Sequence, residues 1–211
     1  MADTLTFYTN PMSRGRIIRW MLEEVGQPYE TVVLDYASSM KGEEYLAINP
    51  MGKVPAIKHG DTVVTEAAAI CAYLADAFPQ ANLAPPSGSK ERGPYYRWLF
   101  YAAGPVEAMT SNHAMGWVPT PDRQRMFGYG SREAVLDTLE KAVSASDYLV
   151  SNRFTAADLY VGAHIGWGLQ FGTLEKRPAF EAYFGRLAAR PAAKRGNEID
   201  DKLIADMKKA G

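Results

Sequence analysis

Two stretches of this chain hold residue types that could do chemistry at their spacing. One is Asn49-Pro50-Met51-Gly52-Lys53-Val54-Pro55-Ala56-Ile57, with Thr65-Glu66 shortly after it. A short apolar strand starts directly behind the Val54-Pro55 step. X-Pro is the peptide bond for which cis lies only about 0.5–1 kcal/mol above trans. A cis proline at a strand edge turns the preceding residue's amide and carbonyl outward, where both can pair with the backbone of an extended peptide. The stretch is therefore expected to form a peptide-binding edge. The other is Ser13, which stands immediately before a predicted helix, Arg14–Val25, where a hydroxyl can serve the first helical amides.

Several other chemistries lack their parts. No Gly-x-Ser-x-Gly elbow surrounds a serine. The three histidines, His59, His113 and His164, have no visible reason to reach Ser13. No His or Cys pair has metal-ligand spacing. The single cysteine, Cys71, excludes an intrachain disulfide and fits a reducing compartment. Mid-helix, it is expected to be buried packing. A net charge of -1 implies no nucleic-acid partner, and no apolar run approaches a membrane span. Met1-Ala2-Asp3-Thr4 shows no basic-then-apolar leader pattern, so a cytoplasmic location is expected. Lys194-Arg195 and Lys208-Lys209 are expected to be solvated tail residues.

The elements that must position these residues follow from periodicity. Leu5-Thr6-Phe7-Tyr8 reads as a strand. In Arg14–Val25, Ile18, Leu22 and Val25 recur at helical spacing, and Gly26 closes the helix. Tyr29–Leu34 is rich in β-branched residues and reads as a second strand. A short helix is expected near Glu43–Ile48. Ala56-Ile57-Lys58 and Thr62-Val63-Val64 flank His59-Gly60-Asp61 as a hairpin. Glu66–Phe78 is an alanine-rich helix that Pro79 stops. Pro, Ser and Gly then mark a linker over 81–93. Beyond it no strand signal remains. Tyr95–Met115 is a long aromatic helix with a kink expected at Gly104-Pro105. Met115–Gly130 reads as irregular, Ser131 caps Arg132–Leu149, and Ala156–Leu169 and Pro178–Ala189 are further helices. Thr155 and Asp158 form a capping box ahead of an apolar run.

Three marks taken together resemble the cytosolic glutathione transferases, with a serine-type, bacterial character. They are Asn49-Pro50-Met51-Gly52-Lys53-Val54-Pro55, Glu66-Ala67-Ala68-Ala69-Ile70-Cys71-Ala72-Tyr73-Leu74, and Phe154-Thr155-Ala156-Ala157-Asp158. The resemblance covers nearly the whole chain. It implies an α/β plus all-α fold: a thioredoxin-like, glutathione-binding domain over 1–80, the linker 81–93, and an all-helical domain over 94–211.

The resemblance also implies the chemistry. The nucleophile is the thiol of glutathione, a co-substrate, with no other cofactor and no metal. A thiol with a pKa near ~8.5 is only a few per cent ionised at neutral pH. Lowering that pKa by about two units takes ~2.7 kcal/mol, of which one hydrogen bond to the charged sulfur supplies most. Ser13 is the first candidate for the donor, because Pro11-Met12-Ser13 is similar to the proline-x-serine of serine-type classes. Tyr8 and Arg14 are the alternatives, from the likeness of Tyr8 to the tyrosine of tyrosine-type classes and of Ser13-Arg14 to bacterial forms. Val54, ahead of Pro55, would pair with the cysteinyl backbone. Glu66 would take the γ-glutamyl ammonium, the amides at 66–68 its carboxylate, and Lys41 and Lys53 the glycyl carboxylate. Ala67 departs from the family's Ser or Thr. A mainly apolar electrophile pocket would draw on Pro11, Met12, Tyr101, Met109, Asn112, His113 and Trp117. A homodimer is implied as well. Glutathione-dependent peroxide reduction or thiol exchange, or a non-catalytic binding role, are the alternative functions.

Overall fold

The computed structural model describes residues 3–210; Met1 and Ala2, read above for a leader signal, lie outside them. The chain forms two units. One contains the residues up to Asn82 together with those from Arg190 onward, and the other is Leu83–Ala189.

The first unit is built on a four-stranded sheet of β1 (Leu5–Thr9), β2 (Glu30–Val33), β3 (Ala56–His59) and β4 (Thr62–Thr65), in the order β2-β1-β3-β4. β1 and β2 are parallel, joined through helix α1 (Gly15–Val25), and the β1–β3 and β3–β4 pairs are antiparallel. Alternation along β1 separates two faces. Phe7 pairs with Ile57 and both are fully buried. Tyr8 and Ala56, the next pair, face the other side. There Leu34, Met40 and Tyr45 complete a cluster with Tyr8, Ile48 and Val54. The short helix α2 (Glu43–Leu46) supplies Tyr45 to that cluster. Helix α3 (Ala67–Ala77) follows β4 and gives way to a 3-10 turn at Pro79.

The second unit is helical: α4 (Arg92–Tyr101), α5 (Glu107–Ala114), α6 (Arg132–Ala145), α7 (Ala156–Phe171) and α8 (Pro178–Ala188). The kink expected at Gly104-Pro105 is a π-helical turn, Ala102–Val106, between α4 and α5. A wider turn accommodates a proline that lacks an amide hydrogen. Ser131 caps α6 by accepting from the Ala134 amide at 3.1 Å. The helix stops at Ala145, short of the predicted Leu149, because Ser146 turns extended and its hydroxyl bonds the Tyr148 carbonyl. The capping box at Thr155 and Asp158 forms at the start of α7.

The C-terminal end is where the sequence reading needs correcting. Residues 190–211, assigned above to the helical domain, belong to the first unit. Pro191–Ala210 is a 20-residue helix, α9, that packs along α1. Arg195, read as a solvated tail residue, bonds Glu23 at 3.1 Å. Arg190 clamps Glu24 with two bonds of 2.6 and 2.8 Å. Arg16 pairs with Asp201, and buried Arg19 with buried Asp200. Gly196 permits this approach, since a Cβ there would lie 3.3 Å from the Trp20 backbone. Gly196→Val is therefore expected to cost about 1–3 kcal/mol by overpacking. Urea unfolding reads this as a lower midpoint, and an unchanged midpoint would contradict the packing described.

Candidate functional site

Strand register brings four chain segments to one end of the sheet. Tyr8 pairs with Ala56, Ala56 with Thr65, and Thr9 with Val33. The loop after β1, the residues after β2, the Val54-Pro55 step before β3 and Glu66 after β4 therefore emerge side by side. Ser13, Val54 and Glu66, far apart in sequence, are neighbours by topology.

The loop after β1 is tightly held. Asn10 is 1% exposed. Its side-chain amide donates to the Leu34 carbonyl at 2.8 Å, and its Oδ1 accepts from the Met12 amide at 2.9 Å. The half-buried Ser13 Oγ lies 2.7 Å from the Asn10 carbonyl and 2.9 Å from the Gly15 amide. A carbonyl only accepts and an amide only donates. The Ser13 hydroxyl thus gives its proton to Asn10 and accepts from Gly15. Ser13 stands two residues ahead of α1, with Arg14 at the capping position, so it closes the loop rather than capping as the residue next to the helix. Gly15 is required here, because a Cβ would fall 2.0 Å from Thr9 Oγ1. Tyr36, in the connection after β2, donates from its hydroxyl to the Met12 carbonyl at 3.2 Å. The exposed Arg14 lies beside Ser13. Tyr8 projects into the cluster that contains Val54, with its ring 5.6 Å from that of Tyr45.

The Val54-Pro55 bond is cis, as expected. Among the described residues, neither the Val54 amide nor its carbonyl has a hydrogen-bond partner. The residue before it is anchored inward: the Lys53 carbonyl accepts from Tyr45 Oη at 2.6 Å and Asn49 Nδ2 at 2.8 Å. Burial pushes the Tyr45 hydroxyl up to about 12, which keeps it a donor. The Lys53 side chain is exposed, whereas Lys41 Nζ donates to the Gly52 carbonyl at 2.6 Å. Lys41 therefore steadies the loop ahead of Val54, and only part of its donor capacity remains.

Glu66 has φ 64° and ψ 117°, a left-handed backbone rarely taken by a residue with a side chain. Its carbonyl accepts from the Ile70 amide at 2.9 Å and its exposed side chain caps nothing. The amides opening α3 are those a helix start leaves for an anion. Ala67, nearly buried at the head of α3, offers no hydroxyl there. Cys71 is fully buried on this helix and burial pushes its thiol up, so it is not placed to act as a nucleophile.

The residues named for the electrophile divide between the units. Pro11 is buried and Met12 57% exposed in the β1–α1 loop. In the helical unit, Met109 and His113 line a cavity of about 210 Å³ with Val118, Pro119, Tyr129 and Arg132 among its other walls. Asn112 is engaged with Tyr129 Oη at 3.2 Å. Trp117 is 64% exposed and is not among the residues lining that cavity. Tyr101 turns its hydroxyl to the Val135 carbonyl at 3.1 Å, so its polar atom is committed to holding α6.

Comparison with known proteins fits this geometry. The family models for the glutathione S-transferase N-terminal domain and C-terminal domain match residues 12–77 and 130–191. Glutathione S-transferase GstA of Escherichia coli O157:H7 is 31% identical over 194 residues, which is 88% of this chain and 90% of that protein. A sphingomonad glutathione S-transferase solved in complex with glutathione has a TM-score of 0.75 at 27% identity, over 93% of this chain and 98% of its own. The glutathione transferase URE2P6 of Phanerochaete chrysosporium, solved with oxidized glutathione, has a TM-score of 0.80 at 27% identity, over 95% and 98%. The chain belongs to the glutathione S-transferase family. It is a glutathione transferase with a thioredoxin-like N-terminal domain and a helical C-terminal one.

Sequence reasoning passed over Asn10, Tyr36 and Tyr45 at this end of the sheet. Asn10 carried a faint signal, an Asn-Pro step that favours turn initiation. Tyr36 and Tyr45 carried none, because their partners lie 24 and 8 residues away.

Proposed function

We propose that this enzyme holds glutathione along the sheet end formed by Ser13, Val54 and Glu66, ionises its thiol there, and adds it to small hydrophobic electrophiles. The observation that carries this reading is the Val54 amide and carbonyl, left without partners between a hydroxyl-bearing loop and an acid at a helix start. That is the layout a γ-glutamyl tripeptide needs. Val54 takes the cysteinyl backbone as one more strand residue. Glu66 takes the γ-glutamyl ammonium, and the amides from Ala67 onward its carboxylate. Ala67 removes one hydroxyl contact, at about 1 kcal/mol, or several-fold in affinity. Lys53, with the remaining capacity of Lys41, serves the glycyl carboxylate. Ser13 is the first choice for the group facing sulfur, ahead of Tyr8 and Arg14. Met12, exposed in the loop after β1, is the choice for contact with the electrophile from the first unit. A cytoplasmic homodimer acting in detoxification, with glutathione as co-substrate and no further cofactor, completes the proposal on the strength of family membership.

Glu66→Ala is the direct test. Loss of a charge-assisted bond of about 1.5–3 kcal/mol is expected to weaken glutathione binding by roughly tenfold to a hundredfold. Titration calorimetry with glutathione reads the affinity, and steady-state turnover of an activated aryl halide reads the activity. Unchanged affinity in the variant would remove Glu66 from the site. Binding without turnover across an electrophile panel would overturn the enzymatic part.

A further inference from the structure

The hydrogen bonds of the β1–α1 loop single out a residue that nothing above has given a role in the reaction. In the free protein the proton of the Ser13 hydroxyl is directed at the Asn10 carbonyl, and the oxygen receives the Gly15 amide. Held so, the oxygen has only acceptor capacity left, and a thiolate needs a donor. The hydroxyl must therefore rotate away from Asn10 as the sulfur arrives, exchanging one acceptor for another and keeping its own proton, while the thiol's proton leaves to solvent.

We infer that Asn10 is a positioning residue for thiol ionisation: its buried side chain fixes the loop, so that Ser13 Oγ stays in place and its hydroxyl has a single turn to make, from the Asn10 carbonyl to the arriving sulfur. The inference rests on the reading of Ser13 as the group that faces sulfur. Three features support it. Asn10 is 1% exposed, so its side chain is shaped by packing and not by solvent. The two ends of its amide group bond different segments, Leu34 after β2 and Met12 in the loop itself, which joins the loop to the sheet end. The same residue's carbonyl receives both the Ser13 amide, at 3.0 Å, and the Ser13 hydroxyl. Ser13 thus has one rotation available to it, between a fixed carbonyl and a ligand. A loosened loop would let the hydroxyl point elsewhere and would demand ordering at the moment of ionisation. Asn10 touches no reacting atom; it acts through Ser13.

The test compares wild type, Ser13→Ala, Asn10→Ala and Asn10→Ser. Serine can still accept from the amide two residues on, more weakly, while losing the Leu34 bond. Two quantities are read: the apparent pKa of enzyme-bound glutathione, from thiolate absorbance against pH, and the affinity for S-methylglutathione, which has no thiol to ionise. Asn10→Ala is expected to raise the bound-thiol pKa toward the Ser13→Ala value and to lower kcat/KM at neutral pH by about tenfold. Asn10→Ser is expected to fall between, and S-methylglutathione affinity to stay within about twofold of wild type in both. If Asn10→Ala does not fold, the serine variant carries the comparison. A folded Asn10 variant with the wild-type thiol pKa overturns the inference, as does a loss of S-methylglutathione affinity equal to the loss of activity. If Ser13→Ala itself leaves the thiol pKa unchanged, the reading of Ser13 fails and the inference fails with it.

Discussion

Asp158→Ala is expected to destabilise the helical unit by about 4 kcal/mol, a large share of the roughly 5–15 kcal/mol that holds a domain folded. Asp158 is fully buried, and its two carboxyl oxygens accept four hydrogen bonds. The Leu149 amide and Tyr183 hydroxyl reach Oδ1 at 2.7 and 2.8 Å; the Thr155 amide and hydroxyl both reach Oδ2 at 2.9 Å. Alanine would leave three buried donors and one part-buried donor unmet, each buried one costing about 1–3 kcal/mol before the structure relaxes. A helix cap alone would account for only about 1 kcal/mol. The residue does more, because it ties the start of α7 to the segment before it and to α8. Denaturant unfolding followed by tryptophan fluorescence measures the change. A loss near 1 kcal/mol would mean that Asp158 acts as a cap and nothing more.

The same carboxyl carries a pH dependence with a definite sign. Burial raises it above its ordinary value of 3.8, against the four donors that pull it down. A carboxyl raised in the folded state binds protons more readily there than in the unfolded chain. Its contribution is therefore greatest below about 3.8 and declines as pH rises through the folded value. Asp200 is raised as well, by burial, against the pull of Arg19, and so declines in the same direction.

Asp200→Ala is the second large effect, expected at about 3–5 kcal/mol. Arg19 is 2% exposed and Asp200 0%, joined by a single contact of 3.2 Å from Nε to Oδ1. Arg19 also donates to Tyr29 Oη at 3.0 Å and Thr31 Oγ1 at 2.9 Å, and stacks 4.9 Å above the Phe7 ring. Removing the aspartate leaves a buried guanidinium without its counter-charge, which is the costly half of dismantling such a pair. Among the described residues, Arg19 Nη2 and Asp200 Oδ2 have no hydrogen-bond partner, so the pair is less than fully satisfied. Replacing both partners together, as Arg19→Met with Asp200→Leu, is accordingly expected to cost far less than the single change, and can come out near neutral. A double-mutant cycle on unfolding free energy reads the coupling. Equal losses in the single and double variants would contradict a buried, coupled pair.

Much of this molecule was legible because its signals are local. The β-α-β start, the hairpin around Gly60 and the Thr155–Asp158 box each depend on residues a few positions apart. Leu5–Thr9 alternates cleanly because one face of β1 meets α1 and the other meets a smaller apolar cluster. Val54-Pro55 could be picked out for the same reason, as a proline step before a strand, whereas the role expected of Glu66 came from the family resemblance. Helix α9 was missed because small residues and ion pairs, not a stripe of large apolar residues, attach it to α1. Arg190, Arg195, Asp200 and Asp201 look like a solvated tail until Glu23, Glu24, Arg16 and Arg19 are placed beside them, more than 160 residues away in sequence. The Tyr101 hydroxyl's bond to the Val135 carbonyl was not legible, because an aromatic at helical spacing does not reveal which neighbour its hydroxyl will meet. Asn10 stayed hidden because its meaning lies in Leu34, which only the parallel pairing of β1 with β2 brings near.

We propose that the sheet end holding Ser13, Val54 and Glu66 binds glutathione and ionises its thiol. Titrating the absorbance of enzyme-bound glutathione thiolate against pH tests this most directly. An apparent pKa about two units below that of a free thiol is expected, with most of the shift lost in Ser13→Ala. Bound glutathione that titrates like the free thiol would contradict it.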